Sequence, residues 1–247
     1  MNERHIMIVE LVSRKGRMEV NELARLLETS TVTIRKDLDY LEDKGILKRE
    51  RGYALLKSKD DINYRMAFQY KEKQRIAAAA AGLVEDGETI IVESGSTCAL
   101  FVEYLAMNKH GITVVTNSAY IAGYVKEGDI QIVLLGGNYQ RHVQAMVGPM
   151  TKECAAKFHV DKMFTGIDGF SPEVGFTGAD MIRTDTVRAM TRSADRTYVL
   201  SQSGKLTRAS AVPFLQTQEV YGLITDNKLS SDIEEYLKER GVQVTLV

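Results

Sequence analysis

The stretch STVTIRKDLDYL, residues 30–41, decides the first part of the fold. Ser30 or Thr31 is a good N-cap, and Gly45 lies where a left-handed residue commonly ends a helix. Between them, apolar residues recur at the spacing of one helix face. These inward positions are Ile34, Leu38 and Leu41. The pattern predicts an amphipathic helix that begins near Ser30 and ends before Gly45.

Two helical patterns precede this helix. Asn2 is predicted to cap a first helix that stops at Gly16, and Asn21 is predicted to cap a second, shorter helix. Thr29 and Ser30 form a brief polar turn before the third helix. A short second helix, a turn and a third helix are typical of a helix-turn-helix.

The outer face of the third helix carries cations in its first turns. Arg35 and Lys36 lie near the helix end where the macrodipole disfavours positive charge, so helix stability does not explain them. In a recognition helix these turns enter the major groove, where Arg and Lys bind guanine or phosphate and Thr contacts a thymine methyl or phosphate. A solvated surface is the alternative explanation for any basic pair taken alone.

A two-stranded wing is predicted directly after this helix. Residues 46–49 (ILKR) and 53–56 (YALL) flank a turn at residues 50–52 (ERG). Basic residues near such a tip suit a contact with the neighbouring DNA backbone. The residues predicted to contact double-stranded operator DNA are Ser30, Thr31, Thr33, Arg35, Lys36, Arg49 and Arg51.

Composition is that of a soluble protein with an ordinary core. The hydrophobic fraction is 44%, the charged fraction is 26% and the formal net charge is −1. The longest apolar stretch, Ile76–Val84, falls well short of the about 20 residues that span a bilayer. With Cys98 and Cys154 alone and no CxxC pair, a reducing cytoplasm is expected, and neither a metal nor a cofactor is expected.

The chain is predicted to divide in three. Residues 1–56 form the winged helix-turn-helix, and residues 57–70 (KSKDDINYRMAFQY) are polar, lack clear periodicity and are interpreted as a linker. Residues 71–247 alternate short apolar runs with helical patterns. Alternation of this kind predicts an α/β domain with a mostly parallel sheet covered on both faces. The predicted strands are 89–93, 112–116, 130–135, 162–167, 197–201, 220–225 and 242–247.

Small and polar residues follow five of these strands. Because ligands bind outside the carboxyl ends of parallel strands, these loops predict a small-molecule site, and loops that open helices favour an anion. Ordinary capping and turn chemistry is the alternative for any single loop. The predicted effector-binding residues are Ser94, Gly95, Ser96, Thr97, Thr116, Asn117, Ser118, Gly136, Gly137, Arg141, Asp168 and Lys205.

These features together resemble the DeoR family of bacterial transcriptional regulators. Residues 30–38 match the family's recognition-helix signature closely, and the loops at 94–97, 116–118 and 136–137 and Lys205 follow in the family order. The resemblance implies a sensor domain similar to ribose-5-phosphate isomerase and CoA-transferases. It also implies a repressor of a sugar or carbohydrate catabolic operon, controlled by a phosphorylated sugar whose phosphate is held by Ser94–Thr97.

Three residues depart from the family pattern. Glu93 and Gln202 stand where the family usually has Asp, so the identity or affinity of the effector is expected to be unusual. Tyr53 replaces a glycine that often follows Gly52, which puts the geometry of the wing tip in question.

Two other classes of function share some of these features. A sugar-phosphate isomerase on the same fold needs a positioned general base, for which Asp168 or Glu93 would serve, but it has no use for a helix-turn-helix. A purely architectural DNA binder leaves the larger domain without a purpose. Cys98, at a helix start, is either a redox sensor or a buried small hydrophobe. A homo-oligomer, dimer or tetramer, is expected because paired helix-turn-helix units match paired half-sites.

Overall fold

A computed structural model describes residues 2–56, 58 and 60–247. It divides into two compact units, with the division between Tyr70 and Lys71. Three residues are outside the described part of the chain: Met1, Lys57 and Lys59. Met1 begins the predicted winged helix-turn-helix, and Lys57 and Lys59 belong to the predicted linker. No helix in the described part of the chain is both long and apolar enough to cross a membrane.

The first unit contains the three predicted helices and the wing. Its elements are α1 (Glu3–Lys15), β1 (Arg17–Glu19), α2 (Val20–Leu26), α3 (Thr31–Asp43), β2 (Leu47–Glu50), β3 (Tyr53–Leu56) and α4 (Ile62–Ala67). Asn2 caps α1 by accepting a 2.8 Å hydrogen bond from the His5 amide, and Gly16 ends it in the left-handed conformation. The predicted inward residues of α3 are all buried in the core of this unit.

The prediction that Asn21 caps the second helix is wrong. The chain between α1 and α2 forms β1, which pairs antiparallel with β3 and places Met18 opposite Ala54. Helix α2 then begins at once, with Glu19 as its N-cap residue, and Asn21 lies inside its first turn. A strand of three residues is too short to show an alternation of apolar and polar residues, so the sequence did not predict it.

The stretch predicted as a linker contains helix α4. Asp61 caps it by accepting a 3.0 Å hydrogen bond from the Asn63 amide. Tyr64 and Ala67 are buried in the core of the first unit. One helical turn and a half is too short to show a hydrophobic stripe among so many polar residues, which explains why the sequence did not predict it.

The second unit is an α/β fold. Its elements are α5 (Tyr70–Ala81), β4 (Thr89–Val92), α6 (Ser96–Asn108), β5 (His110–Thr116), α7 (Ala119–Tyr124), β6 (Asp129–Leu134), β7 (Asn138–Gln140), β8 (Ala145–Val147), α8 (Pro149–Ala155), β9 (Val160–Thr165), β10 (Gly169–Ser171), β11 (Gly175–Gly178), α9 (Met181–Thr191), β12 (Ala194–Leu200), β13 (Val212–Leu215), β14 (Gly222–Thr225), α10 (Ser231–Glu239) and β15 (Gln243–Leu246).

Seven of these strands form one sheet, and every pairing in it is parallel. The strand order is β15-β14-β12-β9-β4-β5-β6, so the seven predicted strands and the parallel sheet are confirmed. Central strand β4 buries Ile90, Ile91 and Val92, as expected for a strand covered on both faces. Parallel pairing brings all seven carboxyl ends to one edge of the sheet.

Two small antiparallel additions were not predicted. Strands β7 and β8 form a hairpin, and β10, β11 and β13 form a three-stranded sheet. Four of these five strands carry glycine or have only three residues, so neither alternation nor β-branched runs mark them.

The turn after β6 depends on a single glycine. Gly137 has φ +152°, and a Cβ there would lie 1.9 Å from Oγ1 of Thr151 and 2.9 Å from the Val147 carbonyl oxygen. Thr151 is fully buried, and its hydroxyl donates a 2.8 Å hydrogen bond to the Gly136 carbonyl. Gly136 itself has room, since the atom nearest to a Cβ added there would be the Met150 sulfur at 3.9 Å.

Substituting Gly137 and Gly136 one at a time distinguishes a glycine that the turn requires from one that tolerates a side chain. Gly137→Ala is expected to lower the free energy of unfolding by about 1–3 kcal/mol, because the new methyl overlaps a buried side chain and a carbonyl. Gly136→Ala is the matched control and should stay within about 0.5 kcal/mol of the wild type. Urea denaturation of both variants measures this, and equal stabilities would contradict the tight turn.

Candidate DNA-binding and effector sites

The start of α3 is fixed by its own cap. The Ser30 hydroxyl accepts a 3.1 Å hydrogen bond from the Thr33 amide and lies 2.9 Å from the Thr33 hydroxyl. This confirms Ser30 as the N-cap. Two of the predicted DNA-binding side chains therefore contact each other in this structure, and their predicted roles in DNA contact remain predictions.

Cations project from the outer face of the same helix. Arg35 and Lys36 are exposed, and within the described residues neither side chain has an ion pair or hydrogen bond. The opposite face buries Ile34, Leu38 and Leu41. The arrangement thus presents, next to a helix start, two cations that no other described residue neutralises, which suits binding in a major groove.

A buried carboxylate ties α3 to α1. The Asp37 residue is 5% exposed. Its Oδ2 accepts a hydrogen bond from Nε of Arg4 at 2.5 Å, and its Oδ1 accepts one from Nη2 of Arg4 at 3.0 Å. Nε2 of His5 also lies 3.0 Å from Oδ1. Burial raises the pKa of Asp37, but the hydrogen bonds and charge of Arg4, with the bond to His5, outweigh it, and the pKa lies below its usual value. The His5 ring stacks on Tyr40 of α3 with centroids 4.5 Å apart.

The sequence did not predict this contact. Asp37 lies on the inward face of α3 among apolar positions, and Arg4 precedes it by 33 residues. An acidic residue between Ile34 and Leu38 on a core-facing stripe was the one available signal, because buried carboxylates are normally paired. Its partner becomes evident only when α1 and α3 are assembled.

Removing the carboxylate is expected to loosen α3. Asp37→Ala should lower local stability by about 1–3 kcal/mol, because it breaks charge-assisted hydrogen bonds and leaves the buried His5 nitrogen without its partner. Hydrogen exchange of the α3 amides measures the change. Asp43→Asn, an exposed carboxylate at the end of the same helix with no ion pair among the described residues, is the control and should shift exchange by less than about 0.5 kcal/mol.

The same variant carries a pH signature. Because folding lowers the pKa of Asp37, the stability that its carboxylate contributes is fully present above the ordinary Asp pKa of about 4. That stability is lost as the pH falls through the lower pKa of the folded state. The difference between wild type and Asp37→Ala should therefore shrink below about pH 4. A difference independent of pH would show that the ion pair does not hold the helix.

The wing turns on two residues with left-handed backbone. Arg51 has φ +45° and Gly52 has φ +85°, and Glu50 pairs directly with Tyr53 across the turn. Positive φ at both central residues is the geometry of a type I′ hairpin turn. Tyr53 continues β3, with its hydroxyl donating to Glu19 at 2.6 Å and the Arg17 guanidinium 4.6 Å above its ring. The turn is therefore tight even though Tyr53 stands where the family often has a second glycine.

The predicted effector residues lie at the carboxyl ends of adjacent strands. Five loops are involved, after β12, β9, β4, β5 and β6, and these strands are consecutive in the sheet. Residues 94–97 follow β4, residues 116–118 end or follow β5, and residues 136–137 follow β6. Asp168 follows β9 and Lys205 follows β12. The sheet therefore brings the predicted loops to one edge.

Helix α6 starts without a side-chain cap. Its N-cap residue is Gly95, which has no side chain to accept from the first amides, and the described residues give the Ser96 and Thr97 hydroxyls no hydrogen bond. By contrast, Ser118 caps α7 by accepting a 3.1 Å hydrogen bond from the Ile121 amide. Of these two helix starts, α6 is the one whose donors remain available to an anion.

Asn117 presents an unused acceptor beside this helix start. Its side-chain amide donates to the Met146 carbonyl at 3.0 Å, while its Oδ1 is buried without a hydrogen-bond partner among the residues that the structure describes. The residue is fully buried at the end of β5, the neighbour of β4. Buried polar atoms are normally satisfied, so an unpaired acceptor here is consistent with a hydroxyl donor from a ligand.

Asp168 lies between two cations. Its Oδ1 is 3.7 Å from Nζ of Lys205, its Oδ2 is 3.7 Å from Nη2 of Arg183, and Oδ2 accepts a 3.0 Å hydrogen bond from the Ala179 amide. Lys205 also donates to the Ile167 carbonyl at 2.6 Å. The sequence did not indicate Arg183, because it lies within α9 and not directly after a strand.

Glu93 joins two of the loops. One carboxylate oxygen accepts from the Ser94 hydroxyl at 3.0 Å, and the other accepts from the Gly166 amide at 3.2 Å. The carboxylate therefore links the loop after β4 to the loop after β9. This departure from the family pattern thus has a structural role, and its effect on the effector stays a prediction.

Asp226 holds the segment that carries Lys205. It accepts from the amide and hydroxyl of Ser203, at 2.9 and 2.7 Å, at the start of the 3-10 helix Ser203–Thr207. Burial raises its pKa, but these bonds and that of the Lys228 amide outweigh it and hold the pKa below its usual value. The side-chain nitrogen of Gln202, one residue earlier, is buried and has no hydrogen-bond partner within the described chain.

The structure also locates Arg141 and Cys98, two further residues from the sequence analysis. Arg141 is exposed in the turn between β7 and β8, and its role in binding stays a prediction. Cys98 is fully buried, with its sulfur 3.9 Å from the Phe164 carbonyl oxygen. Among the described residues there is no group of three His, Cys, Asp or Glu arranged to hold a metal ion.

A winged helix-turn-helix followed by a parallel α/β unit with ligand-type loops at one edge defines a DNA-binding transcriptional regulator. Family models agree: a DeoR-like helix-turn-helix domain matches residues 4–60, and a DeoR C terminal sensor domain matches residues 68–227. The chain belongs to the DeoR family.

Relatives match along nearly the whole chain. The HTH-type transcriptional regulator GolR of Listeria innocua is 30% identical over 99% of this chain and 98% of its own length. The HTH-type transcriptional repressor GlcR of Bacillus subtilis is 30% identical over 98% and 95%. The lactose phosphotransferase system repressor of Staphylococcus epidermidis is 29% identical over 94% and 95%.

A solved structure is similar to part of the chain. Ribose 5-phosphate isomerase A from Methanocaldococcus jannaschii covers 55% of this chain and 53% of its own, with 22% identity and a TM-score of 0.40. This likeness concerns the fold alone.

Proposed function

We propose that this protein represses a sugar or carbohydrate catabolic operon and that a small phosphorylated sugar controls its affinity for the operator. The observation that carries the proposal is the combination of two features. The recognition helix presents cations without partners in the described chain, and the sheet edge presents an uncapped helix start. The names of GlcR and of the lactose phosphotransferase system repressor support a sugar-linked operon.

The sheet edge suits a phosphorylated polyol. The start of α6 supplies amide and hydroxyl donors for a phosphate, whereas Asn117 Oδ1 and Asp168 supply acceptors for hydroxyl groups. Neighbouring strands are about 4.8 Å apart, so Asp168 and Lys205 follow strands one and two spacings from β4. A ligand about 10 Å long therefore matches the span from α6 to Lys205.

We propose a regulator rather than an enzyme. The two carboxylates that would serve as a general base are both engaged by the protein, Glu93 by two hydrogen bonds and Asp168 by a backbone amide and two cations. We also propose that the protein acts in the cytoplasm without a cofactor, as a dimer or tetramer, because single helix-turn-helix units bind weakly.

Binding at the two sites is coupled in this proposal. The effector changes operator affinity by the ratio of its affinities for the two functional states, typically about 1–3 kcal/mol. The coupling is reciprocal, so operator DNA changes effector affinity by the same factor. A gel-shift titration tests it, using DNA upstream of the protein's own gene and a panel of hexose, amino-sugar and pentose phosphates. A specific shift altered by one compound is the expected result, and no specific shift at any salt would overturn the proposal.

The recognition helix is tested by Arg35→Ala. Operator affinity should fall by about 1–3 kcal/mol, roughly 5- to 150-fold, because the exposed guanidinium has no role inside the described protein. Effector affinity should be unchanged. Lys126→Ala, which removes one cation from the second unit, is the control for net charge. Equal operator affinity in the Arg35 variant would remove this residue from the DNA contact.

The helix start is tested by the same chemical change in two loops. Ser96→Ala should weaken sugar-phosphate binding by about 1.5–3 kcal/mol, because a hydroxyl bond to a charged group is lost. Ser118→Ala removes the cap of α7 and should instead lower stability by about 1 kcal/mol without a selective loss of phosphate binding. Calorimetric titration and thermal melts of both variants distinguish these outcomes, and unchanged binding in Ser96→Ala would move the phosphate elsewhere.

A further inference from the structure

The seven-stranded sheet ends in a strand that is paired on one side only. Strand β6 is last in the sheet order and pairs with β5 alone among the described strands. An edge strand presents a row of unpaired backbone donors and acceptors, which proteins commonly protect with charged residues or proline. Residues 130–134 (IQIVL) contain neither. Nothing in this segment therefore prevents a further strand from pairing with it.

The hydrogen bonds to β5 show which backbone groups of β6 point outward. The Leu135 amide donates a 2.8 Å hydrogen bond to the Thr116 carbonyl of β5, so the Leu135 backbone points into the sheet. The N–H and C=O of one strand residue point to the same side, and successive residues alternate. Ile130, Ile132 and Leu134 therefore direct both groups away from β5, and these three residues form the outer row of β6.

The side chains of the outer row lie on the face of the sheet that α6 covers. The ring of Phe101 in α6 packs against Phe164 of β9, with centroids 4.4 Å apart. Phe164 pairs with Val92, Val92 with Thr116, and Thr116 with Leu134, across four consecutive strands. Paired residues of adjacent strands project their side chains from the same face. Helix α6 and the outer row are thus on one side of the sheet.

Exposed apolar side chains lie at both ends of this strand. Leu134, at its end, is 41% exposed. At its start, Gly128 packs so closely against α6 that a Cβ there would lie 2.2 Å from the Ala106 carbonyl oxygen. Met107, the next residue of α6, is 74% exposed. Apolar surface is therefore available beside the start of β6 as well as at its end.

A second copy of the same strand fits this edge about a two-fold axis. With the axis at Ile132, antiparallel pairing places Ile132 opposite its own copy and Ile130 opposite the partner's Leu134. Every outer-row residue then faces an outer-row residue, and each such pair exchanges two N–H···O bonds, about six in all. The same arrangement places the exposed Leu134 of each copy near Met107 of the other.

The strand at the other edge of the sheet is a poorer match. In β15, the Gln243 and Val247 amides donate to carbonyl groups on the β14 side, so Val244 and Leu246 are the residues that point outward. Two outward residues give about four bonds between copies. The Val244 side chain also packs against the core of its own chain, which leaves less apolar surface for a partner.

We propose that the β6 strands of two copies pair antiparallel and join their sheets into one continuous sheet. The inference rests on the homo-oligomer of the proposed function and assigns its surface to one strand. The chain continues from β6 directly into Gly136 and Gly137, two of the predicted effector residues. The interface and the effector site therefore share one segment, through which a bound effector acts on the association of the two copies.

Sedimentation equilibrium of the full-length protein tests this surface. Leu134→Lys places a cation against the partner's Ile130 and should raise the dissociation constant of self-association by about tenfold or more. Leu246→Lys is the matched control, because Leu246 is 40% exposed on the other edge strand, and it should stay within about twofold of the wild type. Thermal melts by circular dichroism check that both variants are folded.

Disulfide trapping tests the register without weakening the interface. Ile132→Cys brings two cysteines together across the axis with Cα atoms about 5.5 Å apart, within the range of a disulfide. Gln131→Cys is the control, since its two Cα atoms would be about 8 Å apart, too far to be bridged. Both variants are made with Cys154→Ser, because that native thiol is partly exposed. Mild oxidation should give a covalent dimer in Ile132→Cys alone.

The outcomes distinguish this inference from the function on which it rests. Wild-type association in Leu134→Lys, or no preferential cross-linking of Ile132→Cys, would overturn the β6 pairing and leave the oligomer to another surface. A wild type that is monomeric at every concentration but shifts operator DNA would overturn the pairing and the oligomer, while the regulator stands. Without any specific operator shift the proposed function fails, and sedimentation and trapping still decide whether β6 pairs.

Discussion

Parallel pairing is the constraint on which the second unit depends. Seven strands that run in one direction must end at one edge, and each ends where a loop begins. Residues more than 100 positions apart, such as Ser96 and Lys205, are brought to the same edge by this geometry. The loops need to supply only short polar segments, because the sheet does the positioning. The links made by Glu93 and Asp226 then hold individual loops relative to one another.

In the first unit, an ion pair with a buried carboxylate fixes the position of the recognition helix. Its recognition helix buries an apolar face in the core of the unit, and the Asp37–Arg4 pair holds this helix against α1. Ionic contacts inside a protein add little net stability, but they penalise any arrangement that separates them. The cap at Ser30 fixes the start of the same helix, and the Arg49 amide of β2 donates a 3.1 Å hydrogen bond to Glu42 near its end. DNA recognition thus rests on a helix that is constrained along its whole length.

Much of this organisation could be predicted from the sequence, and the reasons for the exceptions are physical. The caps at Asn2 and Ser30 and the seven apolar strands are local signals, and the structure confirms them. Helix α4 and strands β1, β7, β8 and β10 are too short for periodicity to show. Asp37 and Arg183 owe their surroundings to residues distant in the chain, so no local pattern could identify their partners. The roles of the effector and DNA residues remain predictions, because they concern molecules other than this chain.

The uncapped start of α6 has a consequence for how a cell would use such a sensor. Backbone amides at a helix start recognise charge and size, but they do not distinguish one phosphate ester from inorganic phosphate. Under the proposed function, free phosphate in the cell competes for the same donors and raises the effector concentration needed for a response. Discrimination then falls to the acceptors on the neighbouring strands, Asn117 and Asp168, which suit the hydroxyl groups that a sugar carries in addition to its phosphate. The threshold of the response and its selectivity are therefore set by different residues, and each can change without the other.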